Sequence, residues 1–179
     1  MGVIPWLLVA DSAWRGGFRG FDLTTAIAIT QPESGRNTDS RYVTSQEDSR
    51  GLWQINTYAH PQYDRNRLYD RLYNAVAAFQ VYRNSNSSFH PWTTYVAGKH
   101  RPFLNDAADA VRQLQSLGFQ VGDGSGPPPG AGEGGSEIPP VEIDVSWSYI
   151  PQLTYAGDMI RDAAFNMRDW GTVIGGLIQ

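Results

Sequence analysis

The spacing of apolar residues over the first 120 positions predicts a mainly helical domain. Five apolar side chains fall on one face of a helix over residues 6–14, namely Trp6, Val9, Ala10, Ala13 and Trp14, with Pro5 suited to its first turn. Gly16 and Gly17 follow and are expected to end this helix. A second helix is predicted over residues 23–31 with Asp22 as its cap, and its apolar residues on most sides predict that it is buried.

Two more helices are predicted further along the chain. Residues 70–84 carry apolar side chains at spacings of three and four, which is the period of a helix packed on a core. Asn105 is expected to cap another helix, and Gly118 to stop it. Its inward residues are Ala107, Ala110, Val111, Leu114 and Leu117. Alternation with period two is suggested only at residues 141–145, so the expected fold class is mainly α.

The composition changes after residue 119. Residues 122–135 contain seven glycines and three consecutive prolines, which predicts a linker over residues 120–140. Beyond it, apolar residues alternate at spacings of three and four, as in a helix that lies along another helix: Leu153, Ala156, Ile160, Ala163, Met167, Trp170, Ile174 and Leu177. The sequence thus predicts a domain at 1–119, the linker, and a C-terminal helical docking segment at 141–179. The long linker favours an external partner over packing on the chain's own first domain, although both remain open.

Composition and charge exclude several classes of protein. The net charge of −4 argues against a basic protein that coats nucleic acid, and the 41% of hydrophobic residues argues against wholesale disorder. The chain has no cysteine and only three scattered histidines, so no metal site and no cofactor are expected. The apolar run at residues 3–10 is too short to span a bilayer and follows no basic residue, so neither a membrane span nor a secretory signal is expected.

Glu33 is the first candidate for chemistry. Pro32 and Gly35 are expected to break the chain around it, at the end of the predicted buried helix. A carboxyl group held against apolar side chains has its charged form disfavoured, so its pKa rises. A raised pKa suits a general acid near neutral pH. The alternative is that Glu33 only ends a helix in solvent, where most charged residues lie.

A second group of polar residues lies in Ser49-Arg50-Gly51-Leu52-Trp53-Gln54-Ile55-Asn56. Gly51 permits close approach of the backbone. Gln54 and Asn56 supply amide donors and acceptors that suit sugar hydroxyls and N-acetyl groups. The segment therefore fits a turn that lines a carbohydrate site.

A third motif is Phe89-His90-Pro91-Trp92-Thr93-Thr94-Tyr95, in which Trp92 is expected to pack in the core and Tyr95 to present a hydroxyl. The order of three motifs resembles that of the lysozyme-like soluble lytic transglycosylases: Glu-Ser-Gly, then Ser-x-Gly-Leu-x-Gln-Ile, then an aromatic segment that ends in Tyr. The segments at residues 13–33, 59–63, 73–75 and 89–95 resemble the phage-borne branch of this family. The resemblance covers about residues 8–100.

The resemblance implies roles for individual residues. Glu33 matches the family's catalytic acid, and Tyr95 matches an aromatic hydroxyl that faces it. Ser49 and Gln54 match residues that line the cleft, with Asn56 as a further substrate-binding residue beside them. Asn74 matches a polar residue that supports the next helix. The chain departs from the family pattern in Gln31-Pro32, where small apolar residues are usual, and in Arg71, where proline is common.

The number of carboxylates at the site bears on the reaction. Two-carboxylate hydrolases need a second acid about 5–9 Å from the first. Lytic transglycosylases use one acid, which then serves as base to form a 1,6-anhydro product. Goose-type lysozymes, which are distant relatives, place a candidate water-orienting aspartate near the region of Asp48. Asp48 is therefore a possible second acid, and the alternative is that Glu47 and Asp48 are both ordinary loop charges.

The expected function is cleavage of the β-1,4 bond between N-acetylmuramic acid and N-acetylglucosamine in peptidoglycan. The expected setting is a phage virion, at the tail tip or hub, where the enzyme opens the host cell wall during entry. Its partners would be glycan strands and, through the C-terminal segment, other tail proteins, without nucleic acid. The alternatives are an endolysin-type lysozyme and a structural tail protein with an inactive lysozyme-like fold.

Overall fold

Five α-helices and one small sheet make up residues 2–122, the part of the chain that the computed structural model describes. The helices are α1 (Trp6–Gly16), α2 (Gly20–Ser34), α3 (Arg71–Asn84), α4 (Thr93–Val96) and α5 (Leu104–Ser116). The strands β1 (Arg41–Val43), β2 (Asp48–Arg50) and β3 (Ile55–Asn56) pair antiparallel in that order. Short 3₁₀ helices at Arg67–Tyr69 and Arg101–Phe103 precede α3 and α5. The prediction of a mainly α fold is confirmed.

Helix α2 is longer than the sequence pattern predicts. It begins at Gly20, so Asp22 lies inside its first turn and does not cap it; the Asp22 carboxylate instead accepts a hydrogen bond of 2.6 Å from the Tyr82 hydroxyl. Pro32 does not break the helix, which continues to Ser34, and this prediction was wrong. The fixed φ of proline is compatible with a helix, and the missing N–H of Pro32 removes only the hydrogen bond to the carbonyl of Ala28. Gly35 ends the helix in the left-handed region, at φ 61°.

The starts of α3 and α5 differ from what the sequence pattern predicts. Asp70 caps α3, because its carboxylate accepts hydrogen bonds of 2.9 and 2.8 Å from the backbone N–H groups of Leu72 and Tyr73. Asn105 does not cap α5, contrary to the prediction, because α5 already begins at Leu104. The preceding 3₁₀ helix runs directly into α5, so the chain needs no cap there.

The core is built around α2, which contacts α1, α4 and α5. Its middle turns, residues 26–29, are fully buried, as the sequence predicts. Burying one large aliphatic side chain contributes about 1.5–3 kcal/mol, so this helix is a main source of stability. An aromatic cluster lies beside it, in which Phe18 contacts the rings of Trp53, Phe79, Tyr82 and Phe89.

The three-stranded sheet was not predicted. All three residues of β1 are exposed and all three of β2 are buried, so neither strand alternates between apolar and polar side chains. The sheet is instead held by charged side chains, which are described below. Period-two patterning fails here because an ion pair takes the place of an apolar face.

The packed chain extends past residue 119. Val121 is 3% exposed, and its carbonyl accepts a hydrogen bond of 2.8 Å from the backbone N–H of Gly20. The Trp14 indole donates a hydrogen bond of 2.8 Å to the Gln120 carbonyl. The predicted linker from residue 123 onward and the predicted C-terminal helix lie outside the described residues. Within residues 2–122, no helix combines the length and apolar character needed to cross a membrane.

Candidate active site

Glu33 lies in the last turn of α2, where its half-buried side chain lines an open cleft. The cleft is lined by residues of the sheet and its β2–β3 turn, of the segment after β3, of α3 and of the start of α4. The lining residues are Glu33, Glu47, Ser49, Gln54, Ile55, Asn56, Ala59, His60, Val81, Pro91, Trp92 and Thr93. The cleft therefore brings together four of the predicted site residues, Glu33, Ser49, Gln54 and Asn56.

The environment of Glu33 raises the pKa of its carboxyl group. Burial is the largest cause, because it removes water from the charged form. The Thr94 hydroxyl donates a hydrogen bond to the carboxylate and lowers the pKa in part. The negative charge of Glu47 raises it further, and the positive charge of Lys99 lowers it. The net effect is a raised pKa, which is the direction that a general acid requires.

Two hydrogen bonds fix the position of Glu33 relative to the rest of the cleft. The Ser34 hydroxyl lies 2.9 Å from the Leu52 carbonyl, which ties the end of α2 to the turn that carries Gln54. The Trp92 indole donates a hydrogen bond of 2.8 Å to the Trp53 carbonyl, which ties α4 to the same turn. Trp92 is also buried, so the prediction that it packs in the core is confirmed, and one side of it still lines the cleft.

The turn between β2 and β3 depends on Asn74 and Gly51. Asn74 is fully buried, and its amide donates hydrogen bonds of 3.0 Å to the carbonyls of Arg50 and Leu68. Its side-chain oxygen accepts a hydrogen bond of 2.9 Å from the Trp53 backbone. Gly51, at φ 77°, packs so closely on Leu68 and Asn74 that a Cβ atom would overlap both. The close backbone approach predicted for Gly51 is confirmed.

The sheet presents different side chains on its two faces. Ser49 pairs with Tyr42 on one side and with Asn56 on the other, and directly paired residues project to the same face. Glu47 precedes Ser49 by two positions, and the Ser49 hydroxyl donates a hydrogen bond of 2.5 Å to its carboxylate. Glu47, Ser49 and Asn56 all line the cleft. Alternation along the strand sends Asp48 to the opposite face.

Asp48 is an ion-pair residue. Its carboxylate is 2% exposed and lies 2.9 Å from the Arg41 Nε atom and 2.7 Å from an Arg50 guanidinium nitrogen. These two guanidinium groups hold the pKa of Asp48 far below its usual range. Asp48 does not line the cleft, so the geometry does not support its predicted role as a second acid.

Glu47 is the carboxylate that the sequence reasoning passed over. It lines the cleft, whereas the neighbouring Asp48 does not. The signal that could have found it is its position directly before β2 and two residues before Ser49, from which its carboxylate reaches the Ser49 hydroxyl. Using that signal required the strand itself to be predicted.

Two amide side chains offer complementary groups to a ligand. The Gln54 amide nitrogen donates to the carbonyls of Gly51, at 2.8 Å, and Ser40, at 3.2 Å, which leaves its oxygen as an acceptor. The Asn56 side-chain oxygen accepts from the backbones of Asp48 and Tyr58, at 3.3 and 3.0 Å, which leaves its amide nitrogen as a donor. An N-acetyl group carries one donor and one acceptor, so this pair suits it.

Tyr95 occupies a different place from the other predicted site residues. Its half-buried ring stacks on His100, with 4.8 Å between the ring centroids, and also contacts Phe89. Tyr95 is not among the residues that line the cleft, and the hydroxyl bonded to Glu33 belongs to its neighbour Thr94. A substrate contact of Tyr95 remains a prediction.

Comparison with known proteins agrees with this geometry. The family described as the lysozyme-like domain matches residues 10–94, a range that holds Glu33, the three sheet residues of the cleft and Thr94. Searches of curated proteins and of solved structures found no match. The match supports a lysozyme-like fold and, in general, a glycosidase-type activity on peptidoglycan.

Proposed function

Because residues 10–94 form a lysozyme-like domain, we propose that this protein cleaves the β-1,4 bond between N-acetylmuramic acid and N-acetylglucosamine in peptidoglycan. The observation that carries the proposal is the position of Glu33. Its carboxyl group has a raised pKa and lines a cleft that also contains the amide groups of Gln54 and Asn56. An acid beside groups that bind N-acetyl sugars is what protonation of a glycosidic oxygen requires.

The proposed reaction is that of a lytic transglycosylase with Glu33 as its one catalytic acid. Glu33 donates its proton to the glycosidic oxygen as the bond to C1 of N-acetylmuramic acid breaks, and the sugar's N-acetyl oxygen closes on C1. The Glu33 carboxylate then takes the proton of the C6 hydroxyl, which displaces the N-acetyl oxygen and forms the 1,6-anhydro ring. The pairing of Asp48 with two arginines supports this route, because it removes one candidate for a second acid.

A hydrolase is the second candidate, and one observation favours it. Glu47 lines the same cleft as Glu33, so a second carboxylate is available to activate water. Hydrolysis would leave reducing N-acetylmuramic acid ends in place of 1,6-anhydro ends. The two candidates therefore differ in a product that mass spectrometry identifies directly.

The decisive experiment compares the full-length chain with Glu33→Gln on purified cell walls. The amide has the shape of the acid but cannot donate an acidic proton, so cleavage should fall by about 10²–10⁴-fold. A Glu33→Gln protein that clears walls at an undiminished rate would overturn the assignment of the acid. Mass spectrometry of the wild-type products then distinguishes transglycosylase from hydrolase.

The proposed setting is a phage particle, where the enzyme would open the host wall during entry. The support is the likeness of four segments to phage-borne transglycosylases and the seam of apolar residues after the Gly/Pro-rich stretch. The presence of Glu33 and Gln54 in one cleft disfavours an inactive structural tail protein. Detection of the protein in purified virions would support the setting, and its confinement to the lysate would indicate an endolysin.

A further inference from the structure

Tyr42 continues the row of cleft residues across the sheet. It pairs with Ser49, which pairs with Asn56, so the three side chains project from one face on three adjacent strands. Neighbouring strands lie about 4.8 Å apart, which places the Tyr42 backbone about 10 Å from that of Asn56. Ser49 and Asn56 line the cleft, and Tyr42 lies next to Ser49 on β1, an outer strand of the sheet.

The ring of Tyr42 is open to solvent. Its side chain is 56% exposed, and no aromatic ring or guanidinium stacks on it among residues 2–122. Tyr58, the other exposed tyrosine of this region, has the Arg65 guanidinium 5.8 Å from its ring centre. A free aromatic face at the end of a row of hydrogen-bonding side chains can receive the apolar face of a sugar ring.

We propose that Tyr42 is a sugar-binding platform that extends the cleft by one further subsite along the glycan strand. The inference rests on the proposed function, because it assigns an outer contact for the same polymer. Glu47, Ser49 and Asn56 would hold the polar groups of the sugars nearer Glu33, and the tyrosine ring would cover the apolar face of a more distant sugar. The consequence is a preference for long strands over short ones.

The test measures binding in the full-length Glu33→Gln protein, which should not turn the ligand over. The probes are linear strands of alternating N-acetylglucosamine and N-acetylmuramic acid, four disaccharides or two disaccharides long. Tyr42→Ala should weaken binding of the longer strand by about three- to tenfold and leave the shorter strand unchanged. Tyr42→Phe keeps the ring and should bind both strands as tightly as the parent.

The matched control is Phe21→Ala. Phe21 is also an exposed aromatic, at 79%, but it lies twelve positions before Glu33 on α2, about 18 Å away along the helix axis. Phe21→Ala should leave the affinity for the longer strand and for the shorter strand unchanged. If Tyr42→Ala loses affinity equally for both strands, or for neither, the role of Tyr42 as a platform is overturned. Wall cleavage by the wild-type protein would in that case still support the proposed function. A wild-type protein that neither binds strands nor cleaves walls would overturn both.

Discussion

The Thr94 hydroxyl donates a hydrogen bond to the Glu33 carboxylate, and this contact joins two helices whose residues are 61 positions apart. It favours the ionised form of Glu33, whereas burial and the charge of Glu47 favour the protonated form. The proton affinity of the candidate acid therefore depends on Thr94 of α4 and on Glu47, which precedes β2. Each of them can be removed without touching Glu33 itself.

Replacing Thr94 by valine should move the alkaline limb of the pH–activity profile to higher pH. The hydroxyl lowers the pKa of Glu33, so its loss lets the carboxyl group keep its proton at higher pH. Thr94→Ser retains the hydroxyl and should keep the wild-type profile. The measurement is kcat/KM for wall cleavage against pH, and a shift to lower pH would contradict the hydrogen-bond assignment.

Replacing Glu47 by glutamine should move the same limb to lower pH. The negative charge of Glu47 raises the pKa of Glu33, and the amide removes that charge while keeping a partner for Ser49. If the enzyme is a transglycosylase, Glu47→Gln should remain active at pH values below the shifted limb. Loss of activity at every pH, with reducing ends among the wild-type products, would instead identify Glu47 as the base of a hydrolase.

Glu33→Gln should make the folded protein more stable than the wild type at pH 7. The folded-state pKa of Glu33 lies above its ordinary value of 4.5. The stability that the protonated carboxyl group contributes is therefore fully present below pH 4.5 and is lost as the pH rises through the folded-state pKa. Glutamine does not ionise and avoids this loss. Urea unfolding at pH 7 and at pH 4 should show a difference between the two proteins that shrinks at the lower pH.

Asp48→Asn should destabilise the protein without abolishing its cleavage of cell walls. The change leaves the buried Arg50 guanidinium short of its counter-charge, which costs about 3 kcal/mol. The pKa of Asp48 is lowered in the folded state, so the loss should be present above pH 3.8 and fade as the pH falls below it. Urea unfolding measures the stability. An Asn variant that keeps full stability but loses wall cleavage would restore Asp48 as a catalytic group.

A chain truncated after Gly122 should fold and cleave cell walls. Residues 2–122 contain the whole cleft, and Val121 is the last residue with buried contacts among them. A chain ending at residue 118 should be less stable, because it also lacks Phe119, which is buried and whose ring packs against Trp14. Wall-clearing assays and thermal unfolding test both. An inactive or unfolded 122-residue chain would mean that the C-terminal segment belongs to the enzyme's own core.

The helices of this domain could be predicted because their apolar residues recur with the helical period. Residues 26–29 are apolar on all sides, and α2 is buried accordingly. The ends of the helices were less predictable. Proline normally stops a helix, but its fixed φ is compatible with one, and α2 continues for two residues beyond Pro32 to Ser34.

The candidate site could be predicted in part, because several of its residues belong to motifs with recognisable chemistry. Glu33, Gln54 and Asn56 belong to motifs whose residue types point to sugar chemistry, and the structure brings them into one cleft. Asp48 was predicted as a possible second acid, whereas in the structure Glu47 lines the cleft and Asp48 pairs with two arginines. A sheet whose buried face is an ion pair carries no hydrophobic alternation to reveal it.

The three hydrogen bonds of Asn74 also bear on how the protein loses activity when heated. They join the turn beneath the cleft to α3, so that turn cannot loosen unless the helix itself leaves the core. Thermal inactivation and thermal unfolding should therefore coincide, with no temperature range in which a folded protein has already lost its cleft. An inactivation assay and a melting curve recorded on the same sample would superimpose.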